Sequence, residues 1–189
     1  MSKEDIKIHV LNRIKSTDIN TYPFYNIYIE NIFPDVFYEK LKERMLYYKY
    51  NSNLENRNWD NPEFMNKKIS LNNIEDDEID IVKFIFDDYE IKHSITEKFY
   101  INTDFIDEIV FKHDLQFVFT DKDRFQKIHT DIPAQFVSVV FYLPEENISE
   151  CDELNNGTIL YDKELKPVKV SKFIGNSVSF FAPHFYSYH

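Results

Sequence analysis

From Leu115 onward the chain is cut into short segments rich in Val, Ile, Phe and Tyr, and this pattern constrains the fold more than any other feature. LQFVFT, DRFQKIHTD, QFVSVVFYLP, GTILYD, KPVKVSKF and NSVSFFAP follow one another with turn signals between them. Branched and aromatic residues fit the pleated, half-buried surface of a strand. Several short strands at this spacing predict a sheet sandwich or barrel. Gly175-Asn176 reads as a two-residue hairpin turn, and the acidic stretch from Glu145 to Asn156 reads as a solvated loop.

The preceding part reads as helices around one strand. Ile6, Val10, Leu11 and Ile14 recur at helical spacing and predict a first helix. FYNIYI, from Phe24 to Ile29, has strand composition. Asn31-Ile-Phe-Pro-Asp opens a second helix, with proline in its first turn, an acid at its positive end, and Phe37, Leu41, Met45 and Tyr48 as the buried stripe. Residues 51–73 are polar and Asn-rich, contain Arg57, Trp59 and Pro62, and predict a long loop where a lid or substrate contact would sit. Ile79, Val82, Phe86 and Tyr89 mark one face of a further helix, with the acidic run Glu75 to Asp80 as its solvated start. A shorter helical stretch is expected over Ser94 to Val110. With no repeat or linker in view, the expectation is one α+β domain over 1–189, with helical support over 1–110 and a β core over 111–189.

Composition removes several function classes. The chain has 189 residues, enough for one domain with a real core. Its 2 glycines, Gly157 and Gly175, cannot write a phosphate loop of the GxGxxG or GxxxxGK kind. Cys151 is the single cysteine, so an intramolecular disulfide and a multi-cysteine zinc site are excluded, and a reducing cytoplasm is the expected location. Its acidic surroundings disfavour a thiolate nucleophile. The net charge of -11 argues against nucleic acid or an anionic membrane as partner. No stretch is apolar and long enough to span a bilayer, and MSKEDIKIHV lacks the core of a secretion signal. Oligomeric state is not legible.

The chemistry-bearing feature is His129-Thr130-Asp131, at the end of an expected strand. Residues two apart on a strand project to the same face, so imidazole and carboxylate can converge on one ion. Two histidines and one carboxylate on one face hold iron(II) in many oxygenases and leave positions open for substrate and O2. By itself the pair is common: in a chain with these counts about half an HxD arises by chance, and a strand-end histidine beside a solvated aspartate looks the same. His9, His93 and His113 lack ligand spacing and read as surface or helix-packing residues.

Order adds what spacing lacks. After HTD come a strand ending in FYLP, then Asn-Gly-Thr opening GTILYD, then the turn at Gly175-Asn176, then SVSFFAPHFYSYH. In this order the segments resemble the 2-oxoglutarate- and iron(II)-dependent oxygenase superfamily, in its prolyl-4-hydroxylase-like branch. The resemblance covers about Arg124 to His189, with a weaker echo in YPFYNIYIENIFPDVFYEKL. It implies a double-stranded β-helix, or jelly-roll, core with supporting N-terminal helices. It also implies iron(II) held by His129, Asp131 and His189, with 2-oxoglutarate and O2 as cosubstrates and ascorbate as an accessory reductant. His184 competes for the third position, but it follows Pro183, which ends the strand, and the family places its ligand several residues past the FF pair. Tyr142 matches a tyrosine that bonds the 2-oxoglutarate carboxylate, and Arg124 is a candidate for the same work. Thr158 and Asn176 match a structural strand–turn signature.

The family binds the distal carboxylate of 2-oxoglutarate through an Arg or Lys about ten residues past the third ligand, where a planar guanidinium fork suits a carboxylate. Because the sequence stops at His189, the core is expected to lack its C-terminal strand. A truncated product, an internal base (Arg124, Lys127, Lys169 or Lys172) and a scaffold that no longer turns over are the alternatives, with truncation favoured. The function expected is hydroxylation of a peptidyl, prolyl-type, or small-molecule substrate. The alternative is a non-catalytic jelly-roll module that binds a metal or a partner.

Overall fold

Ser2 opens the first helix with a capping box. Its hydroxyl accepts from the Asp5 N–H at 3.2 Å while the Asp5 carboxylate accepts from the Ser2 N–H at 2.9 Å, satisfying donors that a helix start leaves open. Helix α1 (Lys3–Ser16) buries Ile6, Val10, Leu11 and Ile14, the residues whose spacing predicts it. The computed structural model describes residues 1–52, 55–56, 67–72, 74–100, 114–119, 127–131, 135–146 and 149–189. Next come β1 (Asn26–Glu30) and α2 (Asp35–Asn51). Helix α2 buries Phe37, Tyr38, Leu41, Met45 and Tyr48, and Pro34 stands at its N-cap rather than inside the first turn.

Two expectations in the middle of the chain are corrected. The helix expected to run through Tyr89 is two helices, α3 (Asp77–Asp87) and α4 (Tyr89–Phe99). Asp88 divides them: its carboxylate accepts from the N–H groups of Glu90 and Ile91 and starts a new helix. Ile79, Val82 and Ile85 are the buried residues of α3, and Tyr89 faces solvent. The remainder of the Ser94 to Val110 stretch, residues 101–110, lies outside the described residues, as do Arg57, Trp59, Pro62 and His113. The 51–73 segment is not wholly loop. It carries β2 (Glu55–Asn56) and β3 (Lys67–Ser70), which form a sheet of order β2-β3-β4 with β4 (Gln116–Phe119). LQFVFT therefore belongs to a sheet other than the one formed by the later strands. Phe117 packs on Tyr48 of α2 at 6.3 Å between ring centroids.

The remaining strands make two sheets. One has the order β1-β8-β5, with β5 (Ser138–Tyr142) and β8 (Ser177–Phe181), all antiparallel. The other pairs β6 (Thr158–Tyr161) with β7 (Pro167–Ser171). Gly175-Asn176 is accordingly not a hairpin turn, because β7 and β8 do not pair; it carries the chain from one sheet to the other. Asn176 takes φ 57 there, and its side chain accepts from Phe33 N–H and donates to Phe33 O. The acidic stretch expected as loop contains a short exposed helix, α5 (Glu150–Asn155). At Gly157 a Cβ would collide with the Ser171 carbonyl, so only glycine lets β6 lie this close to β7.

Alternation along the three-stranded sheet sorts its two faces. Ile27, Ile29, Val178 and Phe180, with Val139 and Phe141 beside them, face the helices and join one continuous core with residues of α1 to α4. Phe141 meets Phe33 and Phe86, each at 5.4 Å between centroids. Each side chain fully removed from water here contributes roughly 1.5–3 kcal/mol. The opposite face carries Asn26, Tyr28, Ser138, Val140, Tyr142, Ser177, Ser179 and Phe181, and it looks toward β6 and β7. The fold is thus mixed α and antiparallel β, as expected at that level. None of its described helices is long and apolar enough to cross a membrane.

Candidate metal centre

The HTD segment and the His189 segment meet as neighbouring extended chains. His129 N–H donates to His189 O, and His189 N–H donates to His129 O, each at 3.0 Å. Tyr161 N–H donates to Tyr188 O at 3.0 Å, which sets the same segment against β6. The order across this layer is therefore β7, β6, the 188–189 segment, and the segment carrying His129. His129, Asp131 and His189 come together there: one ligand atom from each lies within 4.8 Å of the others. His129 Nε2 is 3.7 Å from Asp131 Oδ1, and His189 Nε2 is 3.8 Å from Asp131 Oδ2. These separations exceed a hydrogen bond and leave the width that an ion bonded to all three groups occupies.

Hydrogen bonding fixes which nitrogen each ring offers. His129 Nδ1 lies 2.9 Å from the Lys127 carbonyl, and His189 Nδ1 lies 3.0 Å from the Ser187 carbonyl. A carbonyl only accepts, so each Nδ1 carries the proton, and in a neutral ring the Nε2 lone pair is the one that can bind a metal. Burial pushes the His189 pKa below its ordinary value, and the adjoining His129 lowers it further, against the Ser187 carbonyl and Asp131. Phe181 packs on the His189 ring at 4.5 Å between centroids, and the two imidazoles stand 4.3 Å apart. The Ser138 hydroxyl donates to Asp131 Oδ2, the same oxygen that faces His189 Nε2, and so orients the carboxylate.

His184, the competitor for the third position, is exposed on a turn closed by Ser187. Its Nδ1 accepts from the Tyr186 N–H at 3.3 Å, and it is not part of the cluster. Tyr142 is buried on the inward face of β5 and gives its only hydroxyl proton to Thr158 Oγ1 at 2.6 Å. Arg124 lies outside the described residues. His9 approaches the Asn31 carbonyl and His93 approaches Glu97, both away from the cluster. Sequence reasoning passed over Ser138 and the buried serines 171, 177 and 179. Their alternation with Val and Phe was the available signal, since a strand buried on both faces ordinarily reads as a continuous apolar run.

In comparison with known proteins, no family model matches the chain and no curated protein matches it.

Proposed function

We propose that the chain is an iron(II)- and 2-oxoglutarate-dependent dioxygenase on a jelly-roll core, oxidising a peptidyl, prolyl-type, or small-molecule substrate. The observation that carries this reading is the convergence of two Nε2 lone pairs and one carboxylate from His129, His189 and Asp131. The three protein ligands found among the described residues leave coordination positions open, unlike the closed four-ligand set of a structural zinc site. The jelly-roll reading rests on two facing antiparallel layers, with the HTD and His189 segments side by side at one end of the smaller layer.

Iron(II) in such a site supplies the redox chemistry by which O2 is activated as the 2-oxo acid loses CO2. The residues of the chain do the positioning. The Lys127 and Ser187 carbonyls hold the two rings in one tautomer, Ser138 steadies the Asp131 carboxylate, and Phe181 covers one side of His189. The test is succinate formation from 2-oxoglutarate by the chain supplied with iron(II), ascorbate and O2, with and without candidate substrates. Even uncoupled turnover, lost in His129→Ala and Asp131→Ala, supports the proposal. Metal binding that needs these residues but brings neither 2-oxoglutarate binding nor succinate assigns the chain to the non-catalytic module instead. Metal binding indifferent to both substitutions would overturn either reading.

A further inference from the structure

One side chain closes the turn that leads into His189. Phe185 and Tyr186, at the tip of that turn, are 73% and 49% exposed, so apolar packing does little to fix their backbone. Ser187, by contrast, is fully buried. Its hydroxyl accepts from the His184 N–H at 2.8 Å and donates to the His184 carbonyl at 2.8 Å. Its own N–H donates to the same carbonyl at 3.0 Å. Both backbone groups of His184 are thus tied to one residue, which a hydroxyl can do because it donates and accepts at once. His184 adds a longer contact, its Nδ1 accepting from the Tyr186 N–H at 3.3 Å.

What this turn sets is the orientation of a ring. His189 Nδ1 donates to the Ser187 carbonyl at 3.0 Å, across only two residues of the same chain. So local a contact depends on how the intervening peptide planes are held. Beyond the turn they are held from outside, since Tyr188 O accepts from the Tyr161 N–H and His189 exchanges both hydrogen bonds with His129. At Ser187 the direction of the carbonyl follows from the turn, and the turn from the hydroxyl. His129 makes the equivalent contact to the Lys127 carbonyl at 2.9 Å without any such turn. The two histidines therefore differ in a way that an experiment can use.

We infer that Ser187 is a positioning residue for the metal centre: its side chain closes the 184–187 turn, which aims its carbonyl at His189 Nδ1 and keeps Nε2 as the metal-binding nitrogen. This rests on the metal-centre reading above and adds a side chain whose hydrogen bonds go to none of the three ligands. It also gives His184 a place in the site, as the backbone anchor of the turn. A neutral imidazole that loses the acceptor at Nδ1 can carry its proton on Nε2 instead, and in that form it has no lone pair to offer where the other two ligands converge.

The test combines Mn(II) affinity by calorimetry with nitrogen NMR of the metal-free full chain at mildly alkaline pH, which reads the tautomer of each neutral imidazole. In the wild type both rings are expected in the Nδ1–H form. Ser187→Ala is expected to lose about ten-fold in Mn(II) affinity, the lower end of what partners that orient a ligand provide. It should also give His189 a mixture of tautomers while His129 stays as in the wild type, which separates a loosened ring from a loosened fold. Ser187→Cys, nearly the same size but a weaker donor, should fall between the two. Wild-type affinity in Ser187→Ala, weaker binding with the His189 tautomer unchanged, or both histidines altered alike overturns the inference and leaves the metal centre standing. Absence of Mn(II) uptake by the wild type overturns both. If Ser187→Ala does not fold, the same two readings on Ser187→Cys decide, and wild-type values there overturn the inference.

Discussion

His129 and His189 exchange both of their backbone hydrogen bonds, each N–H donating to the other's carbonyl at 3.0 Å. This is the hydrogen-bonded pair of an antiparallel ladder, with Cα atoms about 5.5 Å apart and side chains on one face. Two residues remote in sequence are thereby held in the relation that a shared ion needs before any ion arrives. The pairing also explains why His189 rather than His184 joins the cluster. The turn from His184 to Ser187 reverses the chain, and only beyond it does the backbone run alongside His129.

Because the ligands converge on a preformed point, metal binding is expected to stabilise the fold measurably. At a free metal concentration of about 100 times Kd the gain is about 2.7 kcal/mol, seen as a rise in Tm with added Mn(II) or iron(II). His129→Ala, Asp131→Ala and His189→Ala should each abolish the rise while folding in the absence of metal. A metal-dependent Tm shift of wild-type size in all three variants would place the metal elsewhere.

Ser138 is not one of the three candidate ligands, yet its hydroxyl donates to Asp131 Oδ2. Partners that orient a ligand typically contribute 10–100-fold, roughly, in metal affinity. Ser138→Ala is expected to weaken metal binding within that range and to leave secondary structure and metal-free stability close to wild type. A titration that finds unchanged affinity removes Ser138 from the site.

Periodicity made α1 legible because one helix face buries four residues at the spacing the geometry demands, and strand composition made β8 legible for a similar reason. The HTD pair was legible from its residue types, although residues 127–131 form no strand: His129 and Asp131 meet His189 through the backbone pairing of His129 with His189. Less was visible where tertiary pairing supplies what local propensity lacks. Glu55–Asn56 and Lys67–Ser70 read as polar loop, yet the second pairs with β4 and the first with the second, through backbone hydrogen bonds that any side chain permits. Gly175-Asn176 has hairpin chemistry, but turn residues do not reveal which sheet each flanking strand joins. Asp76, read as part of a solvated helix start, is buried because Arg44 and Tyr48 from the preceding helix close over it.

That aspartate gives a test of what holds the helical layer together. Asp76 caps α3 by accepting from Ile79 N–H at 3.3 Å, and it also accepts from Arg44 Nε at 2.6 Å and from the Tyr48 hydroxyl at 3.0 Å. Burial raises its pKa, but the Arg44 fork, the Ile79 amide and the Tyr48 hydroxyl outweigh this and leave it below 3.8. A carboxylate depressed in the folded state contributes stability that is present above its unfolded pKa and lost as pH falls through the folded one. Asp76→Asn keeps a capping oxygen and removes the charge, so a loss of about 1–3 kcal/mol is expected near neutral pH, shrinking below about pH 3.8. Urea unfolding at two pH values reads this directly; an equal loss at both would mean that charge plays no part.

Tyr142 tests the intersheet layer at the opposite pH extreme. Its phenol is buried, donates to Thr158 Oγ1 at 2.6 Å, and has a pKa pushed up to about 12, chiefly by burial. A group whose folded pKa lies above its unfolded value contributes stability that is fully present below the unfolded value of 10.0 and lost as pH rises through the folded one. Two units correspond to about 2–3 kcal/mol at most, withdrawn between roughly pH 10 and 12. Tyr142→Phe should therefore unfold at a higher pH than wild type on the alkaline side. At neutral pH it should be slightly less stable, through the lost bond to Thr158 and the stranded threonine oxygen. Absorbance titration of tyrosinate should show one fewer late-ionising phenol in the variant. If the increment lost is one that titrates near pH 10, the hydroxyl is open to water and the two sheets are not closed over it.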